Sequence, residues 1–280
     1  MRKLESIAAL RAFVQDNRKA GKTISFVPTM GAIHEGHMEL VRQGLAKSDV
    51  CIPYIFLNPK QFAPTEDLAS YPKPLDADLE RLKTVNSTAV YLPRADEIYP
   101  DGFATSVKVA NVSQPLEGEC RPHFFEGVAT VISKMLIQCQ PDIALFGEKD
   151  YQQLQVIKRM VKDLNIPVEI FGVPTVRDSE GLALSSRNAY LSDDQYQVAI
   201  QLNKILAHLA GDVRLGKDVA SAEKEAQESL LKAGFAGVDY VTVRDANTLS
   251  LPLKGQKDLR VLAAVRIGKA RLIDNMPVWQ

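Results

Sequence analysis

The chain has 280 residues and a mass of 30.9 kDa, about twice the length of a typical single domain. Hydrophobic residues make up 46% of it and charged residues 24%, which is close to average globular usage and argues against a fibrous or disordered chain. The 34 basic residues balance the 34 acidic ones, so the sequence lacks the general positive charge that favours nucleic-acid binding. Its apolar runs are much shorter than the about 20 residues of a membrane span.

The cysteines and the N-terminal residues favour a reducing compartment. Cys51, Cys120 and Cys139 are odd in number and lack CxxC spacing, so neither a disulfide framework nor a structural zinc site is expected. Glu5 and the nearby Arg11 interrupt any apolar stretch that could form the core of a signal peptide. We therefore expect a soluble cytoplasmic protein that binds no membrane.

Helix-like and strand-like patterns alternate through the first part of the chain. An apolar stripe from Leu4 to Val14 precedes the β-rich run 24–27, and a second stripe from His37 to Leu45 precedes the apolar run 50–57. The alternation continues with helix-like segments 75–85, 128–136 and 154–164 and with strand-like segments 89–92, 143–146 and 168–171. This order is typical of a doubly wound parallel sheet, that is, of a Rossmann-like α/β domain.

The pattern changes near Pro174. Segments 195–209 and 220–233 are helix-like, whereas 238–243 and 259–267 alternate like antiparallel strands. We therefore predict a Rossmann-like domain over residues 1–175 and a smaller C-terminal α+β domain over residues 176–280. The proline-rich segment 58–74 has the length of a loop that covers a site, and we interpret it as a candidate lid.

The strongest local signal is the sequence Met-Gly-Ala-Ile-His-Glu-Gly-His at positions 30–37, in a turn between a strand and a helix. Helix N-terminal amides, close backbone approach at Gly31 and Gly36, and imidazole N–H groups all suit an anion such as phosphate. An isolated HxGH is more often a pair of surface histidines at a helix start, because short motifs match by chance. Zinc is less favoured because only His123 and His208 remain as further histidines.

A second candidate segment, Phe146 to Gln153, lies where a parallel strand gives way to a helix. Lys149 is a mobile point charge suited to phosphate, and the Gln153 amide suits a polar substrate. Gly147 leaves room for a ribose. The acids in this segment also fit an ordinary helix start, and the segment taken alone favours that structural interpretation.

A third segment, Leu184 to Asn188, contains two serines followed by Arg187. Hydroxyl groups beside a guanidinium suit a leaving pyrophosphate, although such a tetrad alone is more often an ordinary polar loop. The three segments agree on nucleotide chemistry. The sequence contains no GxGxxG, Walker or GxSxG motif, which argues against dinucleotide redox chemistry, P-loop hydrolysis and serine hydrolysis.

Together with Asn-Pro-Lys-Gln-Phe at positions 58–62, these segments resemble the pantothenate synthetase family of HxGH nucleotidyltransferases. The resemblance covers essentially the whole chain. It implies condensation of (R)-pantoate with β-alanine, with ATP and Mg²⁺, to give pantothenate, AMP and pyrophosphate through a pantoyl adenylate. It further implies a homodimer with small-molecule substrates and no nucleic-acid partner.

The resemblance also implies a role for each matching residue. His37 is the implied proton donor, and His34, Lys149 and Arg187 share the catalytic role. Gln61 and Gln153 correspond to pantoate contacts, and Gln61 also to the β-alanine site. No residue corresponds to a protein metal ligand. The implied ATP contacts are Met30, Gly31, Ala32, Ile33, His34, Glu35, Gly36, His37, Gly147, Glu148, Lys149, Asp150, Val176, Leu184, Ser185, Ser186 and Arg187.

Two positions depart from the family pattern. The sequence Arg-Pro-His-Phe-Phe at 121–125 replaces a more usual Arg-Pro-Gly-His-Phe, so His123 receives no role. Asp76-Ala77-Asp78 replaces consecutive acids, which leaves open whether a protein carboxylate assists Mg²⁺.

Two other functions compete with this ligase hypothesis. One is an adenylyltransferase of the same superfamily with a phosphorylated acceptor, against which Gln61 and Gln153 argue. The other is a tRNA-recognition module, which the balanced charge disfavours.

Overall fold

The computed structural model describes residues 1–63, 68–69 and 71–279, and two structural units account for them. The first unit comprises Met1–Glu148 and Gln153–Pro174. The second comprises Lys149–Gln152 and the chain from Thr175 onward. The candidate lid 58–74 lies partly outside the described residues, at 64–67 and 70; its described part begins with a 3₁₀ turn at Pro59–Gln61.

Parallel strands form the sheet of the first unit. These strands are β1 (Arg2–Leu4), β2 (Ile24–Thr29), β3 (Val50–Ile55), β4 (Ala89–Tyr91), β5 (Ile143–Gly147) and β6 (Glu169–Val173). Their order in the sheet is β1-β4-β3-β2-β5-β6, and every pairing is parallel. β2 and β3 are almost continuously buried, as expected for strands in a helix-covered parallel sheet.

Helices connect these strands. They are α1 (Ile7–Lys19), α2 (Glu35–Lys47), α3 (Leu75–Thr84), α4 (Ala95–Ile98), α5 (Glu117–Cys120), α6 (Phe124–Cys139) and α7 (Tyr151–Asp163). Because β5 and β6 lie on one side of β2 and the strands β3, β4 and β1 on the other, the strand order reverses between β2 and β5. Open α/β sheets bind their ligands at the carboxyl ends of the strands beside such a reversal.

An antiparallel sheet and three helices build the second unit's described part. The helices are α8 (Asp193–Ala199), α9 (Gln201–Arg214) and α10 (Val219–Ala233); the strands are β7 (Gly237–Asp245), β8 (Leu259–Ile267) and β9 (Ala270–Pro277), in the order β7-β8-β9. Apolar residues of helices and strands share one core, in which Leu206, Leu230 and Val261 are fully buried. The predicted fold class, a doubly wound α/β region followed by an α+β region, is confirmed.

Three of the differences between the structure and the sequence-based elements have a clear physical reason. β1 was not predicted, because Leu4 also fits the helical stripe that follows it. The predicted helix 195–209 is divided at Ile200, whose backbone angles remain helical, so the apolar periodicity continues across the break. β9 was missed because Asp274 and Asn275 interrupt its apolar alternation although both are buried.

Among the described residues, no helix combines the length and apolarity required to cross a membrane.

Candidate active site

Three of the predicted motifs of the first unit follow neighbouring strands of its sheet. The HxGH turn follows β2, the segment from Asn58 follows β3, and Gly147 ends β5. Since β3, β2 and β5 are adjacent and parallel, their carboxyl ends meet at one edge, with about 5 Å between neighbours. The fold therefore brings together segments that are far apart in sequence.

The HxGH turn leads directly into α2. Gly31 has a φ of +84° and Ala32 a φ of +49°, so two successive residues adopt left-handed backbone conformations. His34 is the N-cap, and the backbone amides of the first helical turn follow it. This turn has the geometry of an anion site at a helix N-terminus, with Glu35 exposed at its entrance.

The two histidines of the motif are fixed against each other. Their rings stack with centroids 4.0 Å apart. The Nδ1 atom of His34 accepts a hydrogen bond from the Gly36 amide at 3.2 Å, and Nδ1 of His37 accepts one from the His34 amide at 3.3 Å. Because Nδ1 is an acceptor in both neutral rings, hydrogen bonding assigns each ring proton to Nε2. Gly36 is required here, since a Cβ atom would lie 2.9 Å from Cε1 of His34.

A buried carboxylate on α3 holds the turn from the other side. Asp78 is 2% exposed, and its two oxygens accept hydrogen bonds from the amides of Ala32 at 2.9 Å and Ile33 at 2.7 Å. Arg81, one turn further along α3, donates to the Ile33 carbonyl at 3.0 Å. Burial raises the pKa of Asp78, and this effect outweighs the hydrogen bonds from the amides of Ile33 and Ala32 and the Arg81 charge, which lower it.

In the sequence, Asp78 stands out only as part of a departure from a family pattern. A signal for its role was present, because Asp78 shares the helical face of Leu75, Leu79 and Leu82. A charged residue on an otherwise apolar stripe indicates a buried group with specific partners.

Gln61 belongs to a buried polar network after β3. Its amide nitrogen lies 2.9 Å from Sδ of Met30, so two predicted site residues are in contact. Its amide oxygen accepts a hydrogen bond at 3.0 Å from Asn58, and Asn58 in turn accepts one from the Tyr99 hydroxyl at 2.7 Å. Gly127 admits this segment, since a Cβ atom there would overlap the Lys60 carbonyl. The network fixes the orientation of the Gln61 amide.

The remaining first-unit residues follow β5. Gly147 pairs with Val173 at the end of the strand, and Glu148 packs against Gly172, whose missing Cβ leaves space for that side chain. Gln153 lies partly exposed on α7 and, in the described part of the chain, makes no side-chain hydrogen bond to the other predicted residues.

Within the second unit, Lys149 is partly exposed and Asp150 exposed. The carbonyl of Lys149 accepts a hydrogen bond from the Asn275 side chain at 2.8 Å. The next residue but one, Tyr151, has the Arg260 guanidinium 3.7 Å from its ring centroid and donates its hydroxyl to the Ala246 carbonyl at 2.9 Å. Side chains of the C-terminal sheet and a main-chain carbonyl of the loop after β7 thus hold the segment that carries Lys149.

The other second-unit residues occupy a tight turn. The Leu184 amide donates to the Val176 carbonyl at 3.0 Å, so these two predicted contacts are neighbours. Ser185 caps the 3₁₀ turn Ser186–Tyr190 by accepting from the Arg187 amide at 3.3 Å. The structure therefore gives Ser185 a definite local role in presenting Arg187.

A bidentate ion pair fixes this turn. Arg177 contacts the two carboxylate oxygens of Asp274 at 2.7 and 2.8 Å and also donates to the Gly181 carbonyl at 3.0 Å. Asp274 is only 3% exposed. Asp274 and Asn275, which anchor the second-unit segments, were not predicted from the sequence, because β9 itself was not recognised.

Comparison with known proteins identifies the family. The family described as Pantoate-beta-alanine ligase matches residues 2–277. The chain belongs to the pantoate-beta-alanine ligase family. Among curated relatives of this ligase family, a pantothenate synthetase of Paramagnetospirillum magneticum is 49% identical over 275 residues, which cover 98% of this chain and 97% of that relative.

Solved structures of ligase-family proteins share the fold. A pantothenate synthetase from Thermus thermophilus is 40% identical, has a TM-score of 0.93 and is covered completely, as is this chain. A pantoate-beta-alanine ligase from Francisella tularensis, described as complexed with beta-gamma ATP and beta-alanine, is 33% identical with a TM-score of 0.83; the match covers 100% of this chain and 98% of that one. The family predicted from the sequence motifs is confirmed.

Proposed function

We propose that the protein condenses (R)-pantoate with β-alanine at the expense of ATP, giving pantothenate, AMP and pyrophosphate through a pantoyl adenylate. The observation that carries this proposal is the intact HxGH turn at the start of α2 in a chain that matches the ligase family over residues 2–277. The ATP and β-alanine complex of the Francisella tularensis relative supports the same substrates.

In the first half-reaction, the pantoate carboxylate attacks the α-phosphorus of ATP and pyrophosphate leaves. This nucleophile is already an anion at neutral pH, so the protein must position the reactants and stabilise developing negative charge. We assign the second task to the amides that begin α2, to the Nε2–H groups of His34 and His37, with His37 as the proton donor, and to Lys149 and Arg187.

In the second half-reaction, the β-alanine amine attacks the activated carbonyl and AMP leaves. We propose that Gln61 contacts both pantoate and β-alanine and that Gln153 contacts pantoate. The hydrogen bonds that orient the Gln61 amide support the first assignment, because a fixed amide costs little further ordering when substrate binds.

We assign ATP binding to the residues that the family resemblance implies. These residues are Met30 to His37, Gly147 to Asp150, Val176 and Leu184 to Arg187. The proposed domain roles, a nucleotide- and pantoate-binding region up to residue 175 and a C-terminal region that closes over ATP, rest on the same residues.

We propose that Mg²⁺ arrives as part of the MgATP substrate. In the described residues, no group of three His, Cys, Asp or Glu side chains could hold a metal ion. The buried Asp78 carboxylate directs its oxygens to the amides of Ala32 and Ile33. This arrangement suits an ion held mainly by phosphate oxygens and water, which is a common mode for Mg²⁺.

We further propose a cytoplasmic homodimer. The buried thiols of Cys51 and Cys139 suit the reducing compartment in which ATP is available. The dimer rests on the family resemblance alone, and light scattering at micromolar concentration tests it: a mass of one chain would contradict it.

The deciding experiment is ATP–pyrophosphate exchange with MgATP and (R)-pantoate, first without and then with β-alanine. Pantoate-dependent exchange, followed by AMP and pantothenate only when β-alanine is added, would support the proposal.

We expect His37→Ala to slow exchange by about 100- to 1,000-fold, as for removal of one charge-stabilising donor. His123→Ala is the matched control at an exposed histidine. Folded protein without exchange would contradict the proposal and favour an adenylyltransferase with a phosphorylated acceptor.

A further inference from the structure

Asn275 on the last strand reaches the main chain of Lys149. Its side-chain NH₂ donates to the Lys149 carbonyl at 2.8 Å, across 126 residues of sequence. Asn275 is 4% exposed, so this hydrogen bond is shielded from water. A buried amide with a specific partner is more strongly oriented than an exposed one, because the alternative is an unsatisfied polar group.

Arg260 fixes which way the Asn275 amide points. The Nε–H of Arg260 donates to Oδ1 of Asn275 at 2.6 Å. Asn275 pairs with Leu262 in the register of β8 and β9, so Arg260 is its diagonal neighbour on the same face. With its oxygen committed to a guanidinium, the amide must present its NH₂ group to Lys149.

Arg260 also contacts Tyr151, the residue that follows Asp150. Its guanidinium carbon lies 3.7 Å from the ring centroid of Tyr151. The segment 149–151 is therefore held at two points, at a carbonyl by Asn275 and at an aromatic ring by Arg260. Both contacts hold this segment in place, and neither involves the Lys149 ammonium.

We propose that Asn275, oriented by Arg260, is a positioning residue that sets the place of Lys149 for adenylate formation. This inference rests on the proposed role of Lys149 in stabilising the phosphates of ATP. It assigns a function to Asn275, one of the two polar residues that interrupt β9. A misplaced charge-stabilising group costs up to about 100-fold in rate, which sets the scale of the expected effect.

Asn275→Asp is the sharpest probe. The carboxylate has nearly the same shape and retains an acceptor for Arg260, but it lacks the N–H that Lys149 requires. Asn275→Ser shortens the side chain so that it no longer reaches the Lys149 carbonyl, and it adds no charge. Gln227→Glu is the matched control, since it makes the same amide-to-carboxylate change at an exposed position of α10. Fluorescence of Trp279, the single tryptophan of the chain, checks that the second unit of each variant is folded.

The measurement is a double-mutant cycle on pantoate-dependent ATP–pyrophosphate exchange. We expect Asn275→Asp and Asn275→Ser to slow exchange by about 10- to 100-fold, whereas Gln227→Glu leaves it unchanged. In a Lys149→Ala background, the same changes at Asn275 should alter the remaining rate by less than about twofold, because the group that they misplace has been removed.

Two outcomes would overturn the inference. One is unchanged exchange in both Asn275 variants. The other is an equal fold loss in the presence and absence of the Lys149 side chain, which would mean that Asn275 supports the structure without acting through Lys149.

Failure of the proposed function is recognised separately. If the wild-type protein shows no pantoate-dependent exchange, the same cycle is read from binding of α,β-methylene-ATP, which requires no acid substrate. Weaker binding that depends on Lys149 would then support the positioning role. Binding that is independent of either residue would overturn it.

Discussion

The HxGH turn of the first unit and the Lys149 segment of the second are held in opposite ways. Asp78 accepts hydrogen bonds from two backbone amides of the turn, whereas Asn275 donates one to a backbone carbonyl. The first contact joins residues about 46 positions apart and the second joins residues 126 apart. A motif therefore presents its side chains only because polar residues outside any motif fix its backbone.

The buried carboxylates of the two units, Asp78 and Asp274, differ in how their charge is compensated. Burial leaves the Asp78 carboxylate with a raised pKa, so in the first unit the buried charge is poorly compensated. In the second unit, the buried Asp274 carboxylate forms a bidentate pair with Arg177. We expect loss of the Asp78 carboxylate to affect activity more than stability, and loss of the Asp274 carboxylate to affect stability strongly.

The largest predicted difference is in the reactivity of the cysteine thiols, which serve as probes of the first unit. All three cysteines belong to the first unit, where Cys51 and Cys139 are buried and Cys120 is exposed. Burial raises the pKa of Cys51 to about 12 and raises that of Cys139 as well. At pH 8 a thiol with a pKa near 12 is about one part in 10⁴ thiolate, against about a quarter for an ordinary thiol.

We therefore expect a thiol reagent to label only Cys120 in the native protein, at least about 1,000 times faster than the other two cysteines. Denaturant should expose all three. Cys120→Ser should abolish the rapid reaction. Rapid native labelling of that variant would mean that the first unit opens locally. The buried thiols then report on the first unit, and Trp279 reports on the second.

Loss of the Asp274 carboxylate should have the largest effect on stability. Asp274→Ala leaves the Arg177 guanidinium, whose side chain is 22% exposed, without its main partner. Breaking a buried ion pair from one side costs about 3–5 kcal/mol. We expect the denaturant midpoint followed by Trp279 fluorescence to fall accordingly. Glu228→Gln, on the exposed face of α10, is the control. An unshifted Trp279 transition would contradict the proposed contrast between Asp78 and Asp274.

Asp78→Asn should separate activity from stability in the first unit. The asparagine oxygen can replace one acceptor, but its NH₂ group would face the second backbone amide. Relief of the buried charge offsets this loss, so we expect the free energy of unfolding at pH 7 to change by less than about 1 kcal/mol. ATP–pyrophosphate exchange should still fall about tenfold, because the turn is no longer fixed. Asp76→Asn, exposed on the same helix, should change neither. Full exchange activity in Asp78→Asn would show that the turn holds its shape unaided.

Much of this arrangement was predictable from the sequence. The periodicities located most of the helices and strands, and the order of the motifs identified the family. Alternation of helices and strands also predicted that the HxGH turn and Gly147 lie at strand ends. These features are local, so a short window of sequence contains the necessary information.

The anchors could not be predicted in the same way. Asp78 lies on an apolar helical stripe, where its partners are backbone amides that carry no sequence signal. Asn275 and Arg260 act through the register of two strands, which a single sequence does not reveal. The pattern of β9 was hidden by the same polar residues that give the strand its role.

The smallest predicted effect tests the contrast in pKa between the units. Burial raises the pKa of Asp239, but hydrogen bonds and charge from Arg271 and Arg266 outweigh burial and leave the pKa below its ordinary value. The unfolded chain therefore binds this proton more readily than the folded one. Stability from Asp239 is present above the unfolded pKa of about 3.9 and is lost as the pH falls through the folded value.

Asp239→Asn should lower the free energy of unfolding by about 1 kcal/mol at pH 7, since Arg266 is largely exposed and the pair is partly screened. The difference in free energy of unfolding from wild type, followed by Trp279 fluorescence in denaturant, should shrink as the pH falls below about 4.

Asp78 has the opposite sign. Its raised pKa means that its protonated form contributes stability below the unfolded pKa, and this stability is lost as the pH rises through the folded value. The free energy of unfolding of Asp78→Asn relative to wild type, followed by exposure of Cys51 and Cys139, should therefore increase as the pH rises. Parallel pH profiles for the two variants would refute the claim that the pKa shifts of Asp78 and Asp239 have opposite signs.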